Sequence, residues 1–157
     1  MAAESAPNYY IVVGGIDIYR KTRELGFTMH GFKSTRRKLA GGMKPGDKLI
    51  FYITGAKKLG SVVTVTSEMF EDHTPVWSSA KKPQEDYPYR VKIQPDLILD
   101  EDQFVDAQPL AMQMQYTKKW PAENWTLAFQ GNIHRIPEED YRLIRRELEA
   151  AAGVRAG

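Results

Sequence analysis

A Pro-Gly turn that leads straight into an apolar strand restricts the fold of this sequence more than any other feature. The turn is Lys-Pro-Gly-Asp at positions 44–47, and the run Lys-Leu-Ile-Phe-Tyr follows at 48–52. Proline presets φ at the first corner of a tight turn and glycine accepts positive φ, so the chain must reverse here. The apolar, aromatic run that follows favours a buried strand. This combination predicts the corner of a small β-barrel.

Apolar runs with strand periodicity occur at five places, namely residues 9–13, 48–54, 59–67, 87–93 and 125–129. The second and third are joined by Gly-Ala-Lys-Lys at 55–58, which is typical of a hairpin. In the fourth, Tyr87, Tyr89, Val91 and Ile93 fall on one face, and Arg90, Lys92 and Gln94 fall on the other. That alternation predicts a half-buried strand.

Three helices are predicted between and after these strands. The first is capped by Asp17 and ends at the glycine at position 26. A short basic helix covers 34–39 with Ser34 as its N-cap, and its cations oppose the helix dipole. The closing helix begins at Pro137, carries three acids in its first turn and ends near Gly153. Five or six strands with three helices indicate an α+β barrel.

The length and composition favour one domain. A chain of 157 residues with 42% apolar residues can build one core but not two independent domains of ordinary size. We expect a domain over 9–150, a flexible N-terminus at 1–8 and a frayed tail at 151–157. No apolar run reaches the length of a membrane span, and the N-terminus does not resemble a signal peptide. These features predict a cytoplasmic protein without a membrane partner.

The residue inventory excludes several enzyme classes. The absence of cysteine excludes disulfides, thiolate catalysis and cysteine-based zinc sites. The three histidines lack metal-ligand spacing, so no metal or cofactor is predicted. Asp17, His30 and Ser34 form a conceivable triad, but no nucleophile elbow or phosphate-binding glycine loop accompanies them. No catalytic residue is therefore predicted.

The positive charge is concentrated in one segment although the net charge is only +2. Between positions 33 and 58 eight basic residues stand against the single acid Asp47. Such a run is either a solvated face or a surface that contacts phosphates. Lys33, Arg36, Arg37 and Lys38 are the candidate phosphate-binding residues.

Four motifs in the same order resemble one known family. They are His-Gly-Phe at 30–32, the turn and strand at 44–52, Tyr-Pro-Tyr-Arg-Val-Lys-Ile at 87–93 and Ile-Pro-Glu-Glu-Asp-Tyr at 136–141. Together they resemble the EVE domain over roughly residues 9 to 148. This family belongs to the PUA-like superfamily and is related to the YTH domain, so the resemblance implies a small mixed β-barrel flanked by helices.

The resemblance also implies a function. Domains of this kind hold a single flipped-out modified base, such as a methylated one, in an aromatic pocket. Flat aromatic walls favour a methylated base because its methyl group adds polarisable, poorly hydrated surface, while backbone groups read its edge. The implied partner is RNA or DNA that carries a modified base, with the basic residues on its phosphates.

Seven residues are candidates for that pocket: Val13, Gly14, Gly15, His30, Phe32, Trp77 and Trp125. Trp77 lies in a polar, proline-containing loop, where it forms either a pocket wall or a core anchor. His30 occupies a position at which related sequences commonly carry Trp, and a half-buried structural histidine is the alternative. Trp125 is either a third wall or core packing. Glycines allow a ligand to approach the backbone at 14 and 15.

Two other functions remain compatible with the sequence. One is a protein that binds a small molecule or nucleotide, or a hydrolase that acts on a modified nucleotide. The other is a structural interaction domain whose barrel is filled by side chains. A nucleic-acid reader differs from a small-molecule pocket because its affinity falls steeply with salt.

Overall fold

The computed structural model describes residues 6–79 and 81–153. Most of the predicted flexible N-terminus and most of the predicted tail lie outside the described residues. The strands β1 to β8, in chain order, are Tyr9–Gly14, Met29–Phe32, Lys48–Ile53, Lys58–Val65, Phe70–Glu71, Tyr89–Ile98, Val105–Asp106 and Ile133–Ile136. The helices α1 to α4 are Ile16–Glu24, Arg37–Gly41, Ala107–Ala111 and Glu138–Ala151. Short 3₁₀ helices cover Ser34–Arg36, Glu101–Gln103, Tyr116–Lys119 and Ala122–Phe129.

The strands form one curled, mixed sheet in the order β2-β6-β4-β3-β1-β8, with β5 added to β6 and β7 added to β4. β1 and β3 are parallel, and Gly14 pairs with Ile53 at their carboxyl ends. The other pairs within the described residues are antiparallel. The predicted single α+β domain with a small mixed sheet and flanking helices is confirmed.

Both faces of the sheet are buried. Along β1, Ile11 and Val13 contact the first face, whose core also includes residues of α3 and α4 and of the 3₁₀ helix Ala122–Phe129. Tyr10 and Val12 contact the second face, whose core includes residues of α1 and α2. A strand covered on both sides reads as a continuous apolar run, which explains the composition of residues 9–13.

Asp47 fixes the Pro-Gly turn that precedes β3. Gly46 adopts φ 97°, which a residue with a side chain rarely tolerates. The fully buried carboxylate of Asp47 accepts hydrogen bonds from the backbone N–H of Asn8 (2.9 Å) and of Lys44 (3.0 Å). The Lys44 ammonium lies 3.0 Å from the same carboxylate. The turn thus ties the residue before β1 to the start of β3.

Two of the strand predictions differ from the observed elements. The segment 125–129 forms part of a 3₁₀ helix, because its buried residues Trp125, Ala128 and Phe129 recur at helical rather than alternating spacing. The strand predicted over 87–93 runs from Tyr89 to Ile98. Arg90 is buried, although the alternation along the strand places it on the face away from Val91. Polar partners on Tyr87, Thr74 and Asp72 explain the burial of Arg90.

The helices also differ in detail. Gly15, rather than Asp17, occupies the N-cap of α1, and Ser34 begins a 3₁₀ turn without a side-chain capping bond. Pro137 is the N-cap of α4 and not its first helical residue. The sequence does not predict α3, β2, β5, β7 or β8, because elements of five residues or fewer give little periodicity. The strands predicted at 48–54 and 59–67 are confirmed within two residues.

A buried carboxylate joins α4 to the segment after α3. Asp140 is 2% exposed, and its two oxygens accept hydrogen bonds from the backbone N–H groups of Gln115 (2.8 Å) and Tyr116 (2.9 Å). Glu139, the preceding residue in the same helical turn, is exposed. The two neighbours therefore differ in hydrogen bonding while they share a position near the helix N-terminus.

We predict that Asp140→Ala lowers the free energy of unfolding by about 1–3 kcal/mol, because it leaves two backbone donors without partners. Urea-induced unfolding measures this difference. Glu139→Ala is the matched control and should change stability by less than about 0.5 kcal/mol. Equal destabilisation of the two variants would contradict the assigned role of Asp140.

Candidate functional site

A cavity of about 600 Å³ lies at the carboxyl ends of the parallel strands β1 and β3. Ligands in sheets with parallel strands commonly bind in the crevice outside these ends, because the chain turns away there and leaves space. The volume lies within the range of ligand pockets. The sheet therefore places a cavity where its own topology leaves an opening.

The cavity leads from the surface to the core. Val12 and Phe51 line its inner part and are buried, whereas Thr54, Lys81 and Lys82 line it and are exposed. Aromatic side chains contribute much of the wall, namely Tyr19, Phe51, Tyr52 and Tyr87 together with the imidazole of His30. Such a lining suits a flat, partly apolar ligand.

The glycines after β1 keep the main chain accessible. Val13, Gly14 and Gly15 all line the cavity, as expected from the sequence. A Cβ atom added to Gly15 would lie 2.9 Å from Oδ1 of Asp17, so a larger residue would displace the Asp17 carboxylate. The backbone of Val13 is held on the other side by Asn132, whose Nδ2 donates to the Val13 carbonyl over 2.9 Å. This end of β1 is therefore rigid and open to a ligand.

His30 lines the cavity and is itself almost fully buried. Its Nδ1 lies 2.7 Å from the hydroxyl of Thr22 on α1. The rings of Phe32, Phe51 and Trp77 meet the imidazole edge-to-face at centroid distances of 5.2, 4.9 and 5.8 Å. Burial lowers the pKa of His30 to about 3, so the ring is neutral at physiological pH.

Trp77 lies behind the cavity wall and not in it. The indole is 4% exposed, packs with Ile18 and Tyr87, and donates from Nε1 to Thr22 Oγ1 over 2.9 Å. The guanidinium of Arg90 lies 5.0 Å from the indole centroid. The indole therefore supports His30 and Tyr87 from behind, and its polar loop context did not reveal this packing.

Arg90 anchors the loop that carries Trp77. Its Nε donates to the carbonyl of Tyr87 over 3.1 Å, and its Nη2 donates to the carbonyl of Thr74. Nη1 lies 3.4 Å from a carboxylate oxygen of Asp72. These partners lie at both ends of the loop, so one buried cation closes it. Because these hydrogen bonds and the ion pair replace contacts with water, the charged side chain of Arg90 can occupy the core.

Gly31 explains why glycine follows His30 in the His-Gly-Phe motif. A Cβ atom at this position would lie 2.6 Å from two carbon atoms of the Trp77 indole and 3.0 Å from the Tyr87 carbonyl. The indole therefore packs directly on the backbone of β2. Any larger residue would separate Trp77 from the strand that carries His30.

Phe32 and Trp125, like Trp77, do not line the cavity. Phe32 is fully buried in the core of the second face. Trp125 belongs to the first face, where it meets Phe129 at 6.1 Å between ring centroids. Of the seven predicted pocket residues, the structure brings Val13, Gly14, Gly15 and His30 together around the cavity.

Two of the four basic residues after β2 lie at the cavity. Lys33 lines it, and its ammonium lies 3.4 Å from a carboxylate oxygen of Glu85. Arg36 lies close to Gly131, which lines the cavity. A Cβ atom added to this glycine would lie 3.1 Å from Nη2 of Arg36. Arg37 and Lys38 are exposed and form no ion pair with any residue in 6–79 or 81–153. Of the four predicted phosphate-binding residues, the structure thus places Lys33 and Arg36 at the cavity, whereas Arg37 and Lys38 follow on the exposed surface of α2.

Several residues of the cavity were not predicted as site residues. Asp17 was predicted as a helix cap and Tyr87 as part of a half-buried strand, yet both line the cavity. Burial, with the nearby carboxylates of Glu85 and Asp17, raises the pKa of Tyr87 to about 12, so its hydroxyl stays protonated. Lys81 and Lys82 carried a signal, since two lysines follow Trp77 in the same polar loop.

The cavity does not contain the conceivable catalytic triad. Asp17 and His30 line it, but Ser34 is exposed and belongs to the 3₁₀ turn beside it. Within the part of the chain that the structure describes, no group of three or more histidine, cysteine or acidic residues is arranged to hold a metal ion. No helix in that part is both long and apolar enough to span a membrane.

The curled mixed sheet with flanking helices is the fold of YTH domains. The chain matches the YTH domain of the Zygosaccharomyces rouxii MRB1 protein, solved in complex with N6-methyladenosine RNA, with a TM-score of 0.64 and 13% identity over 94% of this chain and 90% of that one. The Pho92 YTH domain in complex with m6A gives a TM-score of 0.64 and 12% identity over 95% and 90%. The predicted PUA-like fold is confirmed.

The chain belongs to the EVE domain family, whose model matches residues 9–147. It is also 34% identical to the UPF0310 protein PH1033 of Pyrococcus horikoshii over 116 residues, which cover 68% of this chain and 76% of the relative. The family predicted from the four sequence motifs is confirmed.

We predict that His30 makes stability depend on pH. Its pKa is about 3 in the folded state and about 6.5 in an unfolded chain, so the unfolded state binds the proton first. The stability contributed by the neutral ring is therefore complete above pH ~6.5 and is lost as the pH falls towards ~3. Between about pH 7 and about pH 4.5, the native protein should lose roughly 2–3 kcal/mol more than the His30→Phe variant in urea unfolding.

His73 provides a control, because its pKa is shifted in the opposite direction to that of His30. This exposed imidazole lies between the carboxylates of Glu71 and Asp86, each at 2.6 Å, and they raise its pKa. Its contribution is present below pH ~6.5 and is lost as the pH rises, so His73→Phe should not protect the fold against acid. A His30→Phe variant that loses as much stability as the native protein would contradict the prediction.

Proposed function

We propose that this protein is a binding module that recognises a modified nucleobase in RNA or DNA by holding the flipped-out base in the cavity at the ends of β1 and β3. The observation that carries the proposal is the cavity itself. It combines a glycine-rich main chain with aromatic walls at a place where the sheet opens to solvent. A flat base can stack on such walls while backbone groups contact its edge.

The fold supports the same function. The YTH domains reported above were solved with N6-methyladenosine RNA and with m6A, and they share this topology over more than nine tenths of the chain. A methylated base is a reasonable ligand for this cavity too, because a methyl group gains contact with apolar side chains such as Val12 and Phe51.

The charges around the opening suit a nucleic acid more than a neutral small molecule. Lys33, Lys81 and Lys82 line the cavity, and Arg37 and Lys38 lie exposed on α2, which follows Lys33 in the chain. Phosphates beside the flipped base would meet these cations, which position the strand without reading its sequence. The base pocket and the phosphate surface therefore have separable roles.

Titration with nucleosides and short oligonucleotides tests the proposal. We predict that one or more of N6-methyladenosine, 5-methylcytidine and their unmodified parents binds, and that Thr54→Trp weakens that binding at least about tenfold. Thr54 lines the cavity with an exposed side chain, so an indole there would fill the space that a base needs. Calorimetry measures the affinity.

Thr66→Trp is the matched control. Thr66 is exposed like Thr54 but does not line the cavity, so this variant should bind as the native protein does. Equal affinity of the two Trp variants would place the ligand elsewhere on the molecule. Absence of binding by every nucleoside and oligonucleotide would contradict the proposed function.

We predict that Arg37→Ala combined with Lys38→Ala weakens oligonucleotide binding. The slope of log K against log salt should fall by up to about 0.7–0.9 for each phosphate that no longer meets a cation. Nucleoside affinity should not change, because these cations meet phosphates and not the base. Fluorescence titrations over a salt series measure both quantities.

A double variant of α4 controls for net charge. Arg142→Ala combined with Arg146→Ala removes the same two charges from exposed positions that do not line the cavity. It should leave most of the salt slope intact. If both double variants lower the slope equally, binding follows net charge and not a phosphate surface beside the cavity.

A further inference from the structure

The polar groups around His30 determine which of its ring nitrogens carries the proton. Thr22 is fully buried on α1, and its hydroxyl contacts two groups, Nε1 of Trp77 at 2.9 Å and Nδ1 of His30 at 2.7 Å. The indole N–H can only donate, so the hydroxyl oxygen accepts from Trp77. The hydroxyl proton then has one acceptor within reach among the described residues, which is Nδ1 of His30.

This arrangement fixes the tautomer of the imidazole. If Nδ1 carried the proton instead, the buried hydroxyl proton of Thr22 would have no acceptor in the described part of the chain, which costs free energy. A neutral imidazole has one N–H, and Nδ1 accepts, so the proton must lie on Nε2. The lowered pKa of His30 agrees with a single proton on the ring.

The Nε2–H group is left for a ligand. No residue in 6–79 or 81–153 accepts a hydrogen bond from it, although the imidazole is 2% exposed. Phe32, Phe51 and Trp77 surround the ring with apolar surface, and Thr22 occupies the Nδ1 side. The imidazole also borders the cavity, so its remaining donor can be satisfied there.

We infer that His30 determines ligand specificity in this protein by donating a hydrogen bond from Nε2–H to an acceptor atom on the base. The inference rests on the proposed function and adds the chemistry of the ligand. The base must present a lone pair, on an unprotonated ring nitrogen or a carbonyl oxygen, at the edge that meets His30. A base with C–H at that atom leaves the buried donor unpaired and binds more weakly.

Trp77 positions this donor without touching the ligand. Its indole N–H occupies one lone pair of Thr22 and so directs the hydroxyl proton towards His30. The packing of the indole on Gly31 holds it beside the strand that carries the imidazole. The tryptophan, the threonine and the histidine thus form a hydrogen-bonded series that ends at the cavity.

Nucleosides that lack single ring nitrogens test the inference. The probes derive from N6-methyladenosine and 5-methylcytidine. The purine analogues are the 1-deaza, 3-deaza and 7-deaza forms and the pyrimidine analogue is the 3-deaza form, in each of which C–H replaces a ring nitrogen. A 2-thio analogue replaces the one carbonyl oxygen of 5-methylcytidine. The native protein should bind one analogue about three- to tenfold more weakly than its parent. His30→Phe should bind that analogue and the parent with equal affinity.

His134→Phe is the matched control. His134 is a half-buried imidazole that hydrogen-bonds Tyr116 but does not line the cavity, so this variant should keep the discrimination. The tautomer is measured independently of any ligand from the ¹⁵N chemical shifts of His30 in the native protein. A proton on Nδ1 would overturn the inference, and so would discrimination that survives in His30→Phe.

The outcomes separate this inference from the proposed function. If the parents bind and no analogue differs from its parent, the base-reader function stands and the role of His30 fails. If no parent binds, both fail. If His30→Phe does not fold, the analogue series and the tautomer measurement on the native protein still decide the inference.

Discussion

The parallel pairing of β1 with β3 is the constraint on which the rest of this structure depends. It places the carboxyl ends of two buried strands side by side, with Gly14 opposite Ile53. From these ends the chain continues into α1 and into a tight turn, which diverge and leave the cavity between them. The Pro-Gly turn and the buried carboxylate of Asp47 secure the opposite ends of the same two strands.

The cavity depends on a second layer of residues that do not line it. Arg90 holds both ends of the loop that carries Trp77, and the indole in turn contacts His30, Thr22 and the backbone at Gly31. A buried cation, an aromatic ring and a hydroxyl are therefore arranged so that a neutral imidazole is rigid at the cavity wall. Rigid walls favour binding because little conformational entropy is lost when a ligand enters.

Local sequence signals predicted the elements that have strong signals of their own. The turn at 44–47, the strands at 48–54 and 59–67 and the closing helix follow from glycine, proline and apolar periodicity. The segment 125–129 was predicted wrongly, because five apolar or small residues fit a strand and a 3₁₀ helix equally well and tertiary contacts decide between them. Short strands such as Ile133–Ile136 exist only through pairing with β1.

The sequence by itself determined the family, the single α+β domain, the glycines beside the cavity and the clustered positive charge. Each of these follows from the order of the motifs, from the composition or from the local preference of the backbone. Only the tertiary structure decided which aromatic residues face the cavity. Trp77 in a polar loop and Tyr87 in the segment just before β6 carry similar local signals, yet one supports the wall and the other lines it. The difference arises because Arg90 and Gly31 draw the indole inward, and those contacts join residues far apart in the chain.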